Sequence, residues 1–486
     1  MKLQELLYKV NILKVFGSTN IEIPIIHFDS RKINGKALFV AIEGSASDGH
    51  QYIQISIEDG AIAIIVEQLP SKLDDKITYV QVPSSYNALG IIAANFYNNP
   101  SERIKLVGVT GTNGKTTIVS LLHQLLTLLN NKVGMLSTIE NKIIDQVIPS
   151  THTTPDPLQI NCLLSGMIDK GCDYCFMEVS SHALAQGRVH GLQFSGGVFT
   201  NISQEHLDYH KTFSEYRDIK KSFFDSLHKD AFALVNKEDK NAEKMLEGTK
   251  AKKLFYSLKS LSDYRCKVLE NQFEGMLLQI NKVDVWVKLI GEFNAYNIIS
   301  VYAVAKQFGF EDYDVLTALS MLHSAEGRFQ CVRNEDDITG IVDYAHTDDA
   351  LKNVLKAINA IRTNVESLIT VVGCGGDRDK SKRPLMAQAA CNLSTQVIIT
   401  SDNPRSENPE DIIEDMIAGL DPIQNKKVLA ITDRRQAIMT ASKLANKNDI
   451  ILLAGKGHEK YQEIRGEKIP FDDMKELKQS LNIILK

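Results

Sequence analysis

Long apolar runs are missing from this 486-residue chain. None approaches the roughly 18 residues that a membrane-spanning helix needs, so no membrane partner is expected. An excess of basic charge is missing too. With 55 Lys and Arg against 60 Asp and Glu, the formal net charge is −5, which argues against nucleic acid as a partner, because its binders usually carry a basic surface. Cysteine is scarce and odd in number, at seven, which suits a reducing cytoplasm better than a disulfide framework. Met1-Lys2-Leu3-Gln4-Glu5 lacks the apolar stretch of a secretory signal, and a cytoplasmic protein is expected. Cys172-Asp173-Tyr174-Cys175 spells C-x-x-C, yet no second pair accompanies it and Cys175 leads into an apolar strand. Both cysteines are expected to be structural.

What is present is ordinary globular material. Hydrophobic residues make up 43% and charged residues 24%, and the length is too great for one core, so about three domains are expected. Residues 1–100 begin with a helical pattern (Leu3, Leu6, Leu7, Val10) and continue with strands at 38–42 and 61–66. Asn98-Asn99-Pro100-Ser101 reads as a boundary. From 101 to 330 strand and helix alternate, with strands expected at 133–138, 174–179, 196–202 and 231–235. That rhythm implies a parallel sheet covered on both faces, with ligands at the carboxyl ends of its strands. Hairpins follow between 264 and 291, and Asn294 opens a helix. From 331 to 486 a further alternation places strands at 339–343, 368–372, 396–400, 428–431 and 449–453. Hinges are expected near 100 and 330, with the outer domains closing on the central one.

The chain is organised around a β-branched run, Ile104 to Thr110, that feeds Gly111-Thr112-Asn113-Gly114-Lys115-Thr116-Thr117 and a helical pattern opening at Lys115. Strand, glycine turn and helix start together bind phosphate through backbone N–H groups and the helix dipole. Lys115 would reach the β- and γ-phosphates, and the Thr116 hydroxyl would face Mg²⁺. The spacing is unusual, since Val109 stands where the strict phosphate-loop pattern has glycine.

Other polar clusters follow strands. Glu178 and His206, with Thr116, are candidate ligands of a divalent cation, whereas a zinc site at His206-Leu207-Asp208-Tyr209-His210 is not expected, for lack of other close ligands. Asn236-Lys237-Glu238-Asp239 spells the guanine-reading N-K-x-D of small GTPases. No clear D-x-x-G precedes it, so a strand-ending turn is expected and a GTP-binding switch is not. Asp29-Ser30-Arg31 and Asp48-Gly49-His50 read first as turn chemistry. Lys220, by composition, reads as a surface lysine. Arg378 and Arg405 sit in turn-rich loops near Asp402 and Glu459. They suit either surface ion pairs or a zwitterion with a carboxylate for arginine to grip.

Together these motifs resemble the Mur ligase family over nearly the whole chain. The resemblance rests on D-S-R at 29–31, D-G-H at 48–50, T-G-T-N-G-K-T-T at 110–117, T-T-P at 153–155, M-E-V-S-S-H at 177–182 and N-I-x-x-x-H-L-D-Y-H at 201–210. It continues through N-x-x-N at 294–297, G-R at 327–328, D-Y-A-H-T at 343–347, G-G-D-R-D-K at 375–380, D-N-P-R at 402–405 and G-K-G-H-E at 455–459. It implies a three-domain α/β fold: a central phosphate-loop parallel sheet (101–330), an N-terminal UDP-binding α/β domain (1–100) and a C-terminal Rossmann-like, amino-acid-binding domain (331–486).

The implied activity is an ATP- and Mg²⁺-dependent amide ligase that joins meso-2,6-diaminopimelate to the D-Glu γ-carboxylate of UDP-N-acetylmuramoyl-L-Ala-D-Glu (UDP-MurNAc-L-Ala-D-Glu) through an acyl phosphate, as a cytoplasmic monomer. By resemblance, Gly111, Thr112, Asn113, Gly114, Lys115, Thr116, Thr117, Asn294, Arg328 and Asp343 face ATP. Ser30, Ser45, Ala46, Ser47, His152, Thr153, Thr154, Ser180, Gln186 and Arg188 hold the UDP precursor. Arg378, Asp402, Asn403, Pro404, Arg405, Gly455 and Glu459 take diaminopimelate. Lys115, His206 and Lys220 are the implied catalytic residues. Lys220 is implied to be carbamylated to N6-carboxylysine and so, with Thr116, Glu178 and His206, to ligate metal, which displaces the surface reading. D-N-P-R argues against a lysine-adding relative, and the N-terminal D-S-R segment against a folylpolyglutamate-type one. One departure is Asp348, where the family usually has proline.

Overall fold

The computed structural model describes residues 1–44, 47–203, 207–210, 212–363 and 365–483. Three large sheets follow one another along the chain. The first has five strands, ordered in space Lys14–Phe16, Thr78–Gln81, Ala61–Val66, Ala37–Val40, Ile26–His27. Its opening helix, Leu3–Leu6, is shorter than the apolar pattern implied. The chain turns at Lys9, whose φ of 63° lies in the left-handed region that a helix does not tolerate.

The central sheet has eleven strands. Lys105–Thr110 lies in its middle, flanked in parallel by Tyr174–Glu178 and Gly196–Phe199. Val133–Leu136 extends one side in parallel, and Phe232–Asn236 and Lys252–Ser257 extend the other. Helices cover both faces, so these strands read as unbroken apolar runs, and Leu106 to Thr110 are all buried. The centre of the sheet is parallel as expected, the hairpins expected between 264 and 291 form one margin, and only the opposite margin needs correcting. Glu140–Ile143 and Gln146–Pro149 form an antiparallel hairpin that the sequence reading did not foresee. At the other margin, Gly275–Ile280 and Val283–Val287 also run antiparallel. The helix Glu292–Gln307 is largely buried, Asn294, Asn297 and Ser300 included.

The third sheet has six strands, ordered Gln330–Arg333, Thr339–Asp343, Ile450–Ala454, Leu368–Val372, Gln396–Ile399, Val428–Ala430. All neighbours are parallel except the first pair. Behind it Arg434 and Asp473, both 0% exposed, form a two-pronged pair at 2.8 and 2.6 Å. Arg434 also donates to the carbonyl of Ala454 at 3.2 Å, the last residue of a central strand. Parallel order sends the loops after Thr110, Glu178, Phe199, Asp343, Val372, Ile399 and Ala454 to the carboxyl edges of their sheets, where ligands bind in such folds. Among the described residues no helix is long and apolar enough to cross a membrane.

Candidate active site

The phosphate loop has the expected form. The strand Lys105–Thr110 ends, Gly111 to Gly114 turn, and the helix Lys115–Leu128 begins. Val109 occupies no loop position. It is a fully buried strand residue paired with Glu178 and Val198, which is why glycine is not needed there. Gly114 is: its φ is +91°, in the left-handed region, and a Cβ would sit 2.9 Å from Asn297 Oδ1. Asn201 shapes the loop from outside, its carbonyl and side-chain oxygen accepting the N–H groups of Thr112 and Asn113 at 2.8 and 3.0 Å. The N–H groups of Thr116 and Thr117 take no protein acceptor among the described residues and remain for an anion. Lys115 Nζ donates to the carbonyls of Gly111 and Thr112 at 2.9 and 2.8 Å.

A cavity of about 1030 Å³ opens over this loop, between the central and C-terminal sheets, large enough for a nucleotide. Thr112 to Thr117, Asn294, Arg328 and Asp343 all line it. Arg328 crosses to the loop, Nη2 donating to Thr116 Oγ1 at 3.1 Å, while its guanidinium stacks 4.7 Å from the Tyr344 ring centre. Gly327 makes this possible. With φ +65°, a Cβ there would lie 2.1 Å from the His458 nitrogen. Asp343 is pinned by the N–H groups of Phe329 and Ala345 at 2.7 and 2.8 Å. Burial raises its carboxyl above the ordinary range, against the lowering pull of Arg328 and those two bonds. His458, beside Tyr344, is held near 3 by burial and by Arg328, Lys460 and His346, so its imidazole is neutral.

Asp348 does not disturb the loop it opens. Thr347 caps the helix Asp348–Ile361, so Asp348 fills its first position. Proline suits that position because its N–H is not required, and aspartate suits it through the helix dipole. The next residue, Asp349, reaches across the cavity to Ser203 Oγ at 3.0 Å and Asn113 Nδ2 at 3.5 Å.

Glu178 ends its strand 1% exposed. Its Oε1 accepts the Thr138 N–H at 2.7 Å, while Oε2 is buried without a hydrogen-bond partner among the described residues. A bare buried carboxylate oxygen lining the same cavity as the Thr116 hydroxyl is a fitting donor set for a hard divalent cation. Lys220 is not a surface lysine. It is 1% exposed, donates to the Gly111 carbonyl at 3.0 Å and lies 4.6 Å from the Tyr216 ring centre. His206, Ser45 and Ala46 fall outside the described residues.

Thr154, Ser180, Gln186 and Arg188 form one cluster. Thr154 Oγ1 donates to the Glu178 carbonyl at 2.8 Å and meets Ser180 Oγ at 3.3 Å. Arg188 donates to the Thr154 carbonyl at 2.7 Å and to Gln186 Oε1 at 2.9 and 2.6 Å. Thr153 joins through Thr138 at 3.1 Å, and His152 bonds Thr151 beside it. Ser30 and Ser47 lie on the N-terminal sheet's loops, and among the described residues no hydrogen bond joins them to this cluster. The turn reading of that region holds locally, since Asp29 and Asp48 each cap a short helix through the N–H two residues on. The N-K-x-D segment is likewise a turn: Asp239 accepts from the N–H groups of Ile202 and Asn241, both at 2.8 Å. Cys172 and Cys175 are buried free thiols, pushed up by burial.

The three charged loops of the C-terminal sheet meet at one edge. Gly376 N–H donates to the Asn403 carbonyl at 2.9 Å, Arg405 Nη1 to the Gly376 carbonyl at 2.7 Å, and Asn403 Nδ2 to Glu459 Oε2 at 2.7 Å. Arg405 has φ +52°, a strained turn for a long side chain, and lies 3.6 Å from Glu463. Gly455 borders Asp402. Arg378 is exposed and lines the large cavity, so it stands between the two sites.

Underneath, Arg383, 2% exposed at its side chain, pairs with Glu407 at 2.7 Å and Asp415 at 2.8 Å, and Glu407 accepts the Asp377 N–H. Those bonds, Arg383 foremost, hold the Glu407 carboxyl at about 2 instead of 4.5. A depressed acid stabilises the fold above its unfolded value and loses that contribution as pH falls towards the folded one. Glu407→Gln is therefore expected to lower the thermal midpoint at neutral pH. The gap to the wild type should close between about pH 4.5 and 2; a gap constant down to pH 2 would rule this out.

Sequence reasoning missed Tyr344, Asp349 and Lys456. The first lay inside the quoted D-Y-A-H-T motif, and Lys456 inside G-K-G-H-E, but only the fold reveals what they touch.

Three domain families match the chain in sequence order: the Mur ligase family catalytic domain over residues 22–97, the Mur ligase middle domain over 109–305, and the Mur ligase glutamate ligase domain over 327–457. A Bacteroides fragilis protein named UDP-N-acetylmuramoyl-L-alanyl-D-glutamate–2,6-diaminopimelate ligase is 52% identical, covering 99% of this chain and 100% of its own. A Clostridium acetobutylicum protein of the same name, numbered 1, is 40% identical over 97% of this chain and 98% of its own. A solved structure of a ligase with that name superposes with a TM-score of 0.69 at 31% identity, covering 99% of both chains. A Thermotoga maritima MurF ligase in complex with ADP shares the fold at a TM-score of 0.61 and 19% identity, over 94% of this chain and 97% of that one.

Proposed function

The chain belongs to the Mur ligase family, and from that premise we propose that it joins meso-2,6-diaminopimelate to the D-Glu γ-carboxylate of UDP-N-acetylmuramoyl-L-alanyl-D-glutamate at the expense of ATP, in peptidoglycan precursor synthesis. The observation that carries the reading is one cavity with the phosphate loop on one wall and Arg328, Asp343 and Arg378 on the other, with the D-N-P-R and G-K-G-H-E loops meeting at the same sheet edge.

The γ-carboxylate oxygen attacks the terminal phosphorus of ATP, ADP leaves, and an acyl phosphate forms. The amine of diaminopimelate then attacks the acyl carbon, gives up a proton, and phosphate leaves as the amide forms. Such phosphoryl transfer asks the protein for positioning and charge neutralisation. Lys115, the Thr116 and Thr117 N–H groups and Arg328 meet the triphosphate. Thr116 and Glu178 would hold Mg²⁺, which neutralises phosphate charge when bound. Lys220, as a carbamate, would turn a buried cation into a further anionic ligand, and His206 is the remaining proposed ligand.

Thr153, Thr154, Ser180, Gln186, Arg188 and His152 take the muramoyl-dipeptide end, and Ser30 with residues 45–47 the UDP end. The division of labour follows the three segments 1–100, 101–330 and 331–486. The enzyme acts in the cytoplasm as a monomer, without membrane or nucleic-acid partners.

Arg405 pairs the second carboxylate, which L-lysine lacks. The test is ATP-dependent phosphate release with the UDP precursor and either amino acid. Release is expected with diaminopimelate and not with lysine. Because the Arg405 side chain is 24% exposed, Arg405→Ala should fall at the lower end of the range for a broken charge pair, about 2 kcal/mol or roughly 30-fold in KM for diaminopimelate. Equal release with lysine would sink the Arg405 assignment and leave the ligase. No release with either would sink the function.

A further inference from the structure

Lys456 is the least expected residue of the amino-acid side. Its side chain is 0% exposed, and a lysine ammonium leaves water only where carboxylates and amides replace it. Nζ lies 2.8 Å from Asn403 Oδ1, 3.2 Å from Asp402 Oδ1 and 3.3 Å from Glu459 Oε2. Asn403 Oδ1 also accepts the Glu463 N–H at 3.0 Å. One ammonium thus ties the D-N-P-R loop, the G-K-G-H-E loop and the hairpin Tyr461–Ile464/Glu467–Pro470 together. Arg434 lies behind them. Burial works against its charge, and Asp473, Asp402 and Glu459 more than offset this. Two buried cations, Lys456 and Arg434, face the three carboxylates Asp402, Glu459 and Asp473, so this set of five groups carries one net negative charge.

We propose that Lys456 is a positioning residue for the amino-acid half of the reaction. It holds Asp402, Asn403 and Glu459 in register, and by cancelling one carboxylate it leaves a single net negative charge to receive the ammonium group of the incoming amino acid. Being fully enclosed, it does not itself touch that substrate. The inference rests on the function proposed above. Without Lys456 the Asp402 and Glu459 carboxylates keep only the charge of Arg434 behind them and the Asn403 amide, and like charges at close range separate the loops that carry them.

Phosphate release by the wild-type protein with diaminopimelate is established first, so that its absence counts against the proposed function rather than against Lys456. In Lys456→Met the KM for diaminopimelate is then expected to rise about 10-fold or more, with the KM values for ATP and the UDP precursor held within about 3-fold. Adding Asp402→Asn to that variant removes the surplus charge and is expected to bring the KM back by about 5-fold. A space-filling role would make the second substitution an added loss. A smaller rise than 10-fold, or a double variant no better than the single one, overturns the proposal. If Lys456→Met does not fold, Lys456→Gln, which keeps a donor without the charge, is read by the same two comparisons.

Discussion

Lys115→Ala is expected to lower kcat for ATP-dependent phosphate release by about 10³-fold, roughly 4 kcal/mol of transition-state stabilisation. The magnitude follows from what the ammonium does. In the structure it bonds the carbonyls of Gly111 and Thr112, at the mouth of the nest whose next N–H groups await an anion. A triphosphate offers it better acceptors, and the charge that shifts onto the departing diphosphate lies within its reach. Alanine removes that charge from a site with few mobile substitutes. Arg328, the other cation proposed to meet the triphosphate, is anchored by Thr116 and the face of Tyr344 and does not move into the vacated place. Lys115→Arg is not expected to restore the rate, because a planar fork does not occupy the place of a compact ammonium. Affinity for the UDP precursor should change little, since its proposed contacts lie along the Thr154 and Arg188 cluster. A kcat within tenfold of the wild type would remove the phosphate-loop assignment.

Asp473→Asn is expected to cost about 3–5 kcal/mol of stability in the C-terminal sheet. Both partners of the pair are 0% exposed, and the contact is bidentate. The amide keeps the shape of aspartate but leaves a guanidinium charge in a dry interior, which is the costly case. The measurement is the urea midpoint followed by a probe in residues 331–483. The double variant Arg434→Met/Asp473→Leu is expected to recover most of the loss, because a buried pair contributes little beyond an apolar replacement. A single variant within 1 kcal/mol of the wild type would show that water reaches Arg434. Since Arg434 also holds the Ala454 carbonyl, one residue before Gly455, the single variant should weaken amino-acid binding before it unfolds the sheet.

Much of this molecule was legible in the residues, and what was not has identifiable causes. Strands such as Thr339–Asp343 and Leu368–Val372 announced themselves because each is buried on both faces and is built around adjacent β-branched apolar residues. The hairpin at 140–149 did not, because polar residues come in runs there, Glu140-Asn141-Lys142 and Asp145-Gln146, and not in alternation. Only the burial of Asn141 and Ile143 on one face marks it as a strand. Lys220 carries another lesson. Composition gave it to the surface, yet Tyr216, Lys220, Phe223 and Phe224 recur at helical spacing and are the buried residues of the helix Phe213–Asp225. The period was there to be read, and it placed the lysine on the apolar stripe. Lys456 and Asp349 left no such trace. Their partners are 53 and 146 residues away for the shortest bond each makes, and no local pattern encodes a meeting at that distance.

Asp349, bonded to Ser203 and Asn113, ties the two walls of the cleft together: a carboxylate from the helix Asp348–Ile361 rests on the rim of the phosphate loop. A polyanion bound at that rim meets the negative charge of Asp349, so the proposed nucleotide site and the contact between the two sheets are coupled. By linkage, whatever free energy those bonds lend to the contact between the sheets is subtracted from the apparent affinity of any anion that displaces them, and such an anion weakens that contact by the same amount. The cleft therefore works as a two-way valve, in which each turn of the catalytic cycle must undo and remake one small polar tether.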